Sequence, residues 1–403
     1  MPTTIEQVDV KGKRVFLRAD FNVPQDDTGA ITDDRRIRLT LPTIDSVLDR
    51  GGSLVMASHL GRPAGKGFEA EYSLSCVADA LRRLSPKLRS LTLVGSRCTD
   101  ADAARAAATL GAPGAILLEN LRFEKAEKKG DPALALALAS YADIYCNDAF
   151  GASHRSDASM LALPQAMHAM GKRCVAGLLL DREIRYLKGV IDAPRKPFVA
   201  IIGGAKVSDK LAALRNLCGR VDVILIGGAM AYTFLRAQGT ATGASLVQAE
   251  MIDEAQAILR LATSKGTRIE LPTDHLCGRA LEGGTPTQVC AGSIPDGWMG
   301  LDIGPASRAS FCKAVRAART IVWNGPVGVF EMEPFHEGTF TLAQAIAQAT
   351  SAGATSVAGG GDTAAAVEKA GFAERFSHIS TGGGASLEIL EGKSFECLAA
   401  LDS

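Results

Sequence analysis

Short apolar runs rich in β-branched residues alternate with alanine- and leucine-rich segments of helical character from one end of the chain to the other. The runs predict strands over residues 15–18, 54–57, 91–94, 115–118 and 144–146. In the second half they predict strands over 199–202, 223–226, 268–271, 321–323, 356–357 and 378–379. Strand followed by helix, repeated, argues for βαβ units and mainly parallel sheets, an α/β fold. Some helix starts are legible. Ser73 precedes an apolar helical run as a candidate N-cap, and Asp131-Pro132 places proline in a first turn. No self-similar period of 20–50 residues suggests a solenoid.

A chain of 403 residues fits two domains better than one core. The helical pattern from Gly177 to Ile191 stops before Pro194-Arg-Lys-Pro197 and divides the two halves. It reads either as a helix joining two domains or as an ordinary surface helix. The expected organisation is a first domain over 1–176, a connecting helix over 177–193, a second domain over 194–379 and a closing segment over 380–403.

The predicted strand ends differ between the halves. The first half ends its runs in Arg18-Ala-Asp20-Phe-Asn22, Ser58-His59-Leu60-Gly61-Arg62, Glu119-Asn120-Leu121-Arg122 and Ser153-His154-Arg155. The second ends them in Gly203-Gly204-Ala-Lys206, Gly227-Gly228, Gly359-Gly360-Gly361-Asp362-Thr363 and Gly382-Gly383-Gly384. Ligands of open α/β sheets bind beyond the carboxyl ends of the strands. The chain therefore reads as two facing half-sites, one of cationic side chains and one of close-approach backbone. That arrangement suits an anionic small molecule and a nucleotide.

Composition narrows the partners. Hydrophobic residues make up 47% and charged residues 22%, as in soluble globular proteins. Lys+Arg and Asp+Glu are both 44, and zero net charge argues against nucleic acid or an acidic membrane surface as the main partner. The nine cysteines form no C-x-x-C pair, which fits free thiols in a reducing compartment. The start lacks a signal-peptide pattern, and no apolar stretch reaches the ~18–20 residues that span a bilayer. A cytoplasmic location is expected.

In the first half, Asp20 and Asn22 offer a carboxylate and an amide suited to substrate hydroxyls, or else an Asx-type turn. Arg36, Arg62, Arg122 and Arg155 present planar forks that match phosphate or carboxylate oxygens. Singly, each also reads as a solvated surface arginine. His59 reads as a general acid or base, or more simply as a hydrogen-bonding partner of a phosphate or carboxylate, since no nucleophile stands beside it.

In the second half, Gly203-Gly204-Ala205-Lys206 follows an apolar run and leads into a helical one, a setting where backbone N–H groups approach phosphate. Lys206 and Lys210 are spaced i and i+4, so they share a face if one helix includes both, and a polyphosphate would relieve their repulsion. Neither a Walker A loop nor G-x-G-x-x-G is present, which weakens a dinucleotide reading and with it a Rossmann-type oxidoreductase. Asp362 suits Mg²⁺ shared with phosphates, or a helix N-cap with Thr363. Glu331, in Asn324-Gly-Pro-Val-Gly-Val-Phe-Glu331, suits ribose hydroxyls or is an unattached surface glutamate.

Taken together, the motifs RADFNVP, SHLGRP, LENLRF, NDAFGASHR, GGAKVSDK, WNGPVGVFE, GGGDT and STGGGAS closely resemble those of the phosphoglycerate kinase family. The likeness runs from about Lys13 to Lys393. It implies two facing Rossmann-like three-layer domains joined by a helix, and phosphoryl transfer between 1,3-bisphosphoglycerate and ADP to give 3-phosphoglycerate and MgATP. It assigns Asp20, Asn22, Arg36, His59, Leu60, Gly61, Arg62, Arg122 and Arg155 to phosphoglycerate. Arg36 is chosen over Arg35 because the family's arginine directly precedes isoleucine. Lys206 is assigned to the transferred phosphoryl group, Lys210 to the nucleotide phosphates and Glu331 to the ribose. Gly204, Gly360, Gly361, Asp362 and Thr363 border the phosphates, Asp362 on Mg²⁺, and Gly227 and Gly228 belong to the adenine pocket. Arg36 and Lys206 are the expected catalytic pair, brought together by hinge closure in a monomer. After Lys393 the chain reads Ser-Phe-Glu-Cys, where the family commonly has a proline-containing tail that returns toward the first domain. A catalytically silent nucleotide-binding regulator is the alternative, although such a protein would lack the arginines or Asp362.

Overall fold

The computed structural model describes residues 1–402. Its first parallel sheet contains β1 (Arg14–Ala19), β2 (Ser53–Ala57), β3 (Thr92–Val94), β4 (Gly114–Leu118), β5 (Ile144–Asp148) and β6 (Arg173–Ala176). The spatial order is β3-β4-β2-β1-β5-β6. Strands β2 and β5 are buried at every residue, and β1 at all but its first. A sheet covered on both faces requires this, which is why the runs are legible without alternation. Val15, Leu17, Leu54 and Met56 pack with Ile37, Ile44 and Val47 of the Arg35–Asp49 helix and Val77 and Leu81 of the Ser75–Leu84 helix. Phe16, one position out of phase with Val15 and Leu17, stacks on Tyr145 at 6.3 Å.

The second parallel sheet contains β7 (Phe198–Ile202), β8 (Val223–Ile226), β9 (Arg268–Glu270), β13 (Thr320–Asn324), β14 (Thr355–Gly359) and β15 (His378–Ile379), in the order β15-β14-β13-β7-β8-β9. Val199, Ile201, Ile321 and Trp323 bury against Phe311, Val315, Leu342 and Ile346 from the Pro305–Ala317 and Glu337–Ser351 helices. A small antiparallel sheet of β10 (Asp274–Gly278), β11 (Thr287–Ala291) and β12 (Met299–Ile303) adds its own cluster around Cys277, Cys290 and Tyr232.

The chain divides into two compact units. One comprises residues up to Ile184 together with those from Ser394 onward, and the other comprises Arg185–Lys393. The boundary falls inside the Leu178–Asp192 helix. The closing segment is tied to the first unit by Asp402, whose N–H donates to Cys174 O at 2.7 Å and whose carbonyl accepts from Thr3 N–H at 2.6 Å. Phe395 and Cys397, from the atypical tail, are buried.

Local expectations fare unevenly. Asp131 caps the Pro132–Ala139 helix, accepting from Ala133 and Leu134 N–H at 2.8 and 3.1 Å. Ser73 is not the N-cap of the next helix. Leu74 occupies that position, while the Ser73 hydroxyl donates to Glu119 at 2.8 Å and accepts from Ser75 N–H. Strand β6 and the antiparallel sheet have no counterpart among the predicted strands. Among the described residues, no helix is long and apolar enough to cross a membrane.

Candidate functional site

In the first sheet the chain leaves β1 toward β2 and leaves β5 toward β6, so the winding reverses between neighbours β1 and β5. A crevice forms outside the carboxyl ends at such a reversal. Asp20 follows β1 directly, and His59 lies two residues beyond β2. Arg122 sits in the 3₁₀ turn Leu121–Phe123 after β4, and Arg155 follows the turn Phe150–Ala152 after β5. Arg36 belongs to the first turn of the Arg35–Asp49 helix.

Contacts tie these ends together. Arg36 donates to Asp20 Oδ2 at 2.9 Å, and the other Asp20 oxygen lies 4.0 Å from His59 Nδ1. Asn22 Oδ1 accepts from Gly61 N–H at 2.8 Å, fixing the loop that carries His59. The Asx-type contact is also present, with Asn22 N–H donating to Asp20 Oδ1 at 3.3 Å. Arg122 donates to Gly61 O at 2.8 Å and lies 3.9 Å from Asp157. Leu60 is buried, and its carbonyl accepts from Asn120 Nδ2 at 2.8 Å. Arg62 is exposed and makes none of these contacts. The tail supports the Arg155 loop through the Cys397 thiol, which donates to Ser153 O.

Burial and charge set the chemistry here. His59 is only 2% exposed. Burial, then the positive charges of Arg18, Arg122, Arg155 and Arg36, hold its pKa well below the usual histidine value. Burial also lowers Arg122, with Arg155 adding to the effect and Asp157 opposing it. Arg122 Nε and one terminal nitrogen of Arg155 are buried without a hydrogen-bond partner in the protein. Buried cationic donors of this kind call for an anionic acceptor.

The second sheet reverses its winding between β7 and β13. Their ends touch through main chain: Gly203 N–H donates to Asn324 O at 2.9 Å, and Gly204 N–H to Pro326 O at 3.0 Å. A Cβ on Gly203 would lie 2.1 Å from Pro326 O, so only glycine permits this approach. Gly228 has φ +68°, and a Cβ there would lie 2.6 Å from the backbone N and O of Gly204. Gly227, after β8, donates to Ile202 O at 3.0 Å.

Buried Asn324 organises the polar groups. Its amide nitrogen donates to Gly359 O at 2.9 Å, and its oxygen accepts from Lys210 Nζ. Thr363 Oγ1 accepts from Gly325 N–H at 2.7 Å, joining the end of β13 to the helix after β14. Burial lowers the Lys210 pKa, opposed by Asp209, Asp362 and Glu391.

Helix boundaries decide two readings that the sequence left open. Lys206 and Lys210 do not share a helix, because the helix is Leu211–Leu217 with Lys210 at its N-cap, and Lys206 stands exposed before it. Asp362 is not an N-cap. Gly360 holds that position, and Asp362 is the second residue of the Gly361–Lys369 helix, exposed to solvent. Glu331 is exposed as well, and its recorded polar contact is a carbonyl accepting from Lys369 Nζ at 3.2 Å.

Sequence reasoning overlooked Arg18, Asn120 and Asn324 as parts of these sites. Arg18 and Asn324 lie in the last two residues of their strands and Asn120 two residues beyond β4, each within a legible motif, but their partners lie far off in sequence.

The sequence matches the family profile described as phosphoglycerate kinase over residues 5–393. It is 50% identical over 402 residues to a phosphoglycerate kinase of Rhodopirellula baltica, covering 99% of this chain and 98% of the relative. It is 46% identical over 400 residues to a cytosolic phosphoglycerate kinase of Triticum aestivum, with the same coverage. Among solved structures, phosphoglycerate kinase from Coxiella burnetii superposes with a TM-score of 0.89 at 38% identity, covering 99% of this chain and 98% of that one. The Pyrococcus horikoshii phosphoglycerate kinase gives 0.84 at 29% identity with the same coverage.

Proposed function

The chain belongs to the phosphoglycerate kinase family, and from that premise we propose how its residues divide the work. The reaction is reversible phosphoryl transfer between 1,3-bisphosphoglycerate and ADP, giving 3-phosphoglycerate and ATP. We propose that Asp20, Asn22, Arg36, His59, Leu60, Gly61, Arg62, Arg122 and Arg155 bind the phosphoglycerate. The observation that carries this is the pair of buried guanidinium donors, on Arg122 and Arg155, with no acceptor in the protein. Phosphate or carboxylate oxygens would satisfy both.

The nucleotide is proposed to bind at the β7/β13 reversal, with Gly204, Gly360, Gly361 and Thr363 along its phosphates, Lys210 bonding them and Glu331 on the ribose. Gly227 and Gly228 border the adenine. Exposed Lys206 is free to reach the transferred group. Mg²⁺ fits Asp362, whose exposed carboxylate has no ion pair or hydrogen bond among the described residues. No cluster of three or more ligating side chains occurs among those residues, so the remaining ligands would be phosphate oxygens and water. Bound there, the ion would offset charge on the phosphates.

Acyl phosphate is already an activated donor, so no covalent enzyme intermediate is needed. Holding the reactants in line contributes roughly 7–11 kcal/mol, and Arg36 with Lys206 would stabilise charge on the equatorial oxygens. The cytosolic designation of relatives supports a cytoplasmic location. Sizing chromatography tests the proposed monomer.

The decisive assay is ATP consumption in magnesium buffer with and without 3-phosphoglycerate. Consumption that requires 3-phosphoglycerate is expected; consumption indifferent to it would overturn the reading. Asp362→Asn should raise the magnesium concentration needed for half-maximal rate.

A further inference from the structure

Behind His59 runs a line of buried polar groups. Arg18, at the end of β1, is fully buried. Its Nε–H donates to Ser159 Oγ at 2.8 Å, one terminal nitrogen donates to Ala19 O, and the other lies 3.3 Å from His59 Nδ1. The Ser159 hydroxyl donates to Glu127 Oε1 at 2.5 Å, and Ser159 N–H donates to Glu127 Oε2 at 3.0 Å. Tyr145 holds the segment from the other side, donating to Ser159 O at 2.9 Å. Ser159 and Glu127 are buried as completely as Arg18.

A guanidinium offers only donors, so Arg18 can bond His59 Nδ1 only if that nitrogen keeps its lone pair. A neutral ring with bare Nδ1 carries its proton on Nε2, which makes no hydrogen bond among the described residues. Among the described residues, Asp20 is the only carboxylate within 4.0 Å of a ring nitrogen. Its 4.0 Å separation from Nδ1 is too long for a hydrogen bond, and it already accepts from Arg36.

We propose that Glu127, Ser159 and Arg18 form a positioning chain that fixes His59 as the neutral, Nε2-protonated tautomer, an uncharged hydrogen-bond donor. Its use toward phosphoglycerate oxygens rests on the site reading above; the tautomer does not. Protonating Nδ1 would set an N–H against the N–H of Arg18, in a pocket where Arg122, Arg155 and Arg36 already supply positive charge. A neutral donor adds direction to that pocket without adding another buried cation. Glu127 balances Arg18 from behind, with Ser159 as the link.

Long-range proton–nitrogen correlation spectra of the nitrogen-15-labelled full chain test this, with His59 assigned by the signal lost in His59→Asn. The expected wild-type pattern is a protonated Nε2 and a bare Nδ1, unchanged from about pH 8 to about pH 5.5. An Nδ1-protonated ring, or a ring that titrates in that window, overturns the proposal, and this measurement needs no variant in the chain of residues. Ser159→Ala removes only the linking hydroxyl. It should shift the His59 nitrogens toward a mixed pattern and raise KM for 3-phosphoglycerate about tenfold, with kcat within about twofold and KM for ATP unchanged. Lower stability with unmoved His59 signals would mark the link as merely structural and overturn its positioning role. Moved signals with an unchanged KM would support the tautomer chain while removing His59 from the phosphoglycerate site.

Discussion

In the first unit the strand ends carry long, buried side chains: Arg18, His59 and Arg122 are buried, and Arg155 has a buried nitrogen without a partner. In the second unit the corresponding ends meet main chain to main chain, Gly203 against Asn324–Pro326 and Gly228 against Gly204. The first arrangement concentrates charge and must balance it, which Asp20, Asp157 and Glu127 do from the flanks. The second relies on N–H groups and close approach, and its vulnerability is volume rather than charge. On the proposed assignment, a substrate recognised by buried guanidinium groups is sensitive to loss of a side chain, and a nucleotide cradled by backbone is sensitive to gain of one.

The strongest way to break the contrast is Arg36→Ala. It should lower kcat/KM by about 10²–10³, the effect of losing one preorganised donor of about 3–4 kcal/mol, while ADP affinity stays as in the wild type. A coupled assay with unchanged turnover would sink the role of Arg36. On the other side, Gly203→Ala forces a Cβ into Pro326 O and should cost about 3 kcal/mol of stability, read from urea unfolding. An unaltered unfolding midpoint would show that the β7/β13 approach is not as tight as the distances imply.

Lys210→Ala should weaken ADP binding about 10- to 30-fold, the scale of a lost hydrogen bond to a charged group, with phosphoglycerate binding untouched. Calorimetry giving equal ADP affinities would remove Lys210 from the nucleotide site.

A pH series sharpens the cost of buried side-chain charge in the first unit. Asp148, fully buried, accepts from Leu180 N–H at 3.0 Å, while its other oxygen has no hydrogen-bond partner. Burial raises its pKa from 3.8 to about 7. Between those values the folded chain binds the proton that the unfolded chain has released, so stability falls as pH rises through the window and levels off above it. Asp148→Asn should flatten this dependence by up to about 1.4 kcal/mol per pH unit. Urea unfolding over a pH series, with parallel curves for the two proteins, would contradict the assignment.

The expected strands matched observed ones where the sheet is covered on both faces, because such strands must be apolar throughout. Predicted 199–202 and observed Phe198–Ile202 differ by one residue, and Val223–Ile226 agrees at both ends. The antiparallel sheet escaped notice because its strands contain Asp274, His275, Gly278 and Gln288, and β11 exposes three of its five residues. The spacing of Lys206 and Lys210 places them on one face only if a single helix includes both. The turn that makes Lys210 the N-cap removes that face.

By itself the sequence determined the alternation of strand and helix, the division between cationic and glycine-bearing strand ends, and the motifs that mark the family. These are local properties: burial on two faces demands apolar runs, and close backbone approach demands glycine. Only the tertiary structure decided which strands are neighbours where the winding reverses, and hence where each site opens. It alone joined Lys210 to Asn324, 114 residues away, and Arg18 to Ser159, 141 residues away. The reason is physical: a buried polar side chain is stable only with its partner in place, and that partner is supplied by the fold rather than by neighbours in the chain.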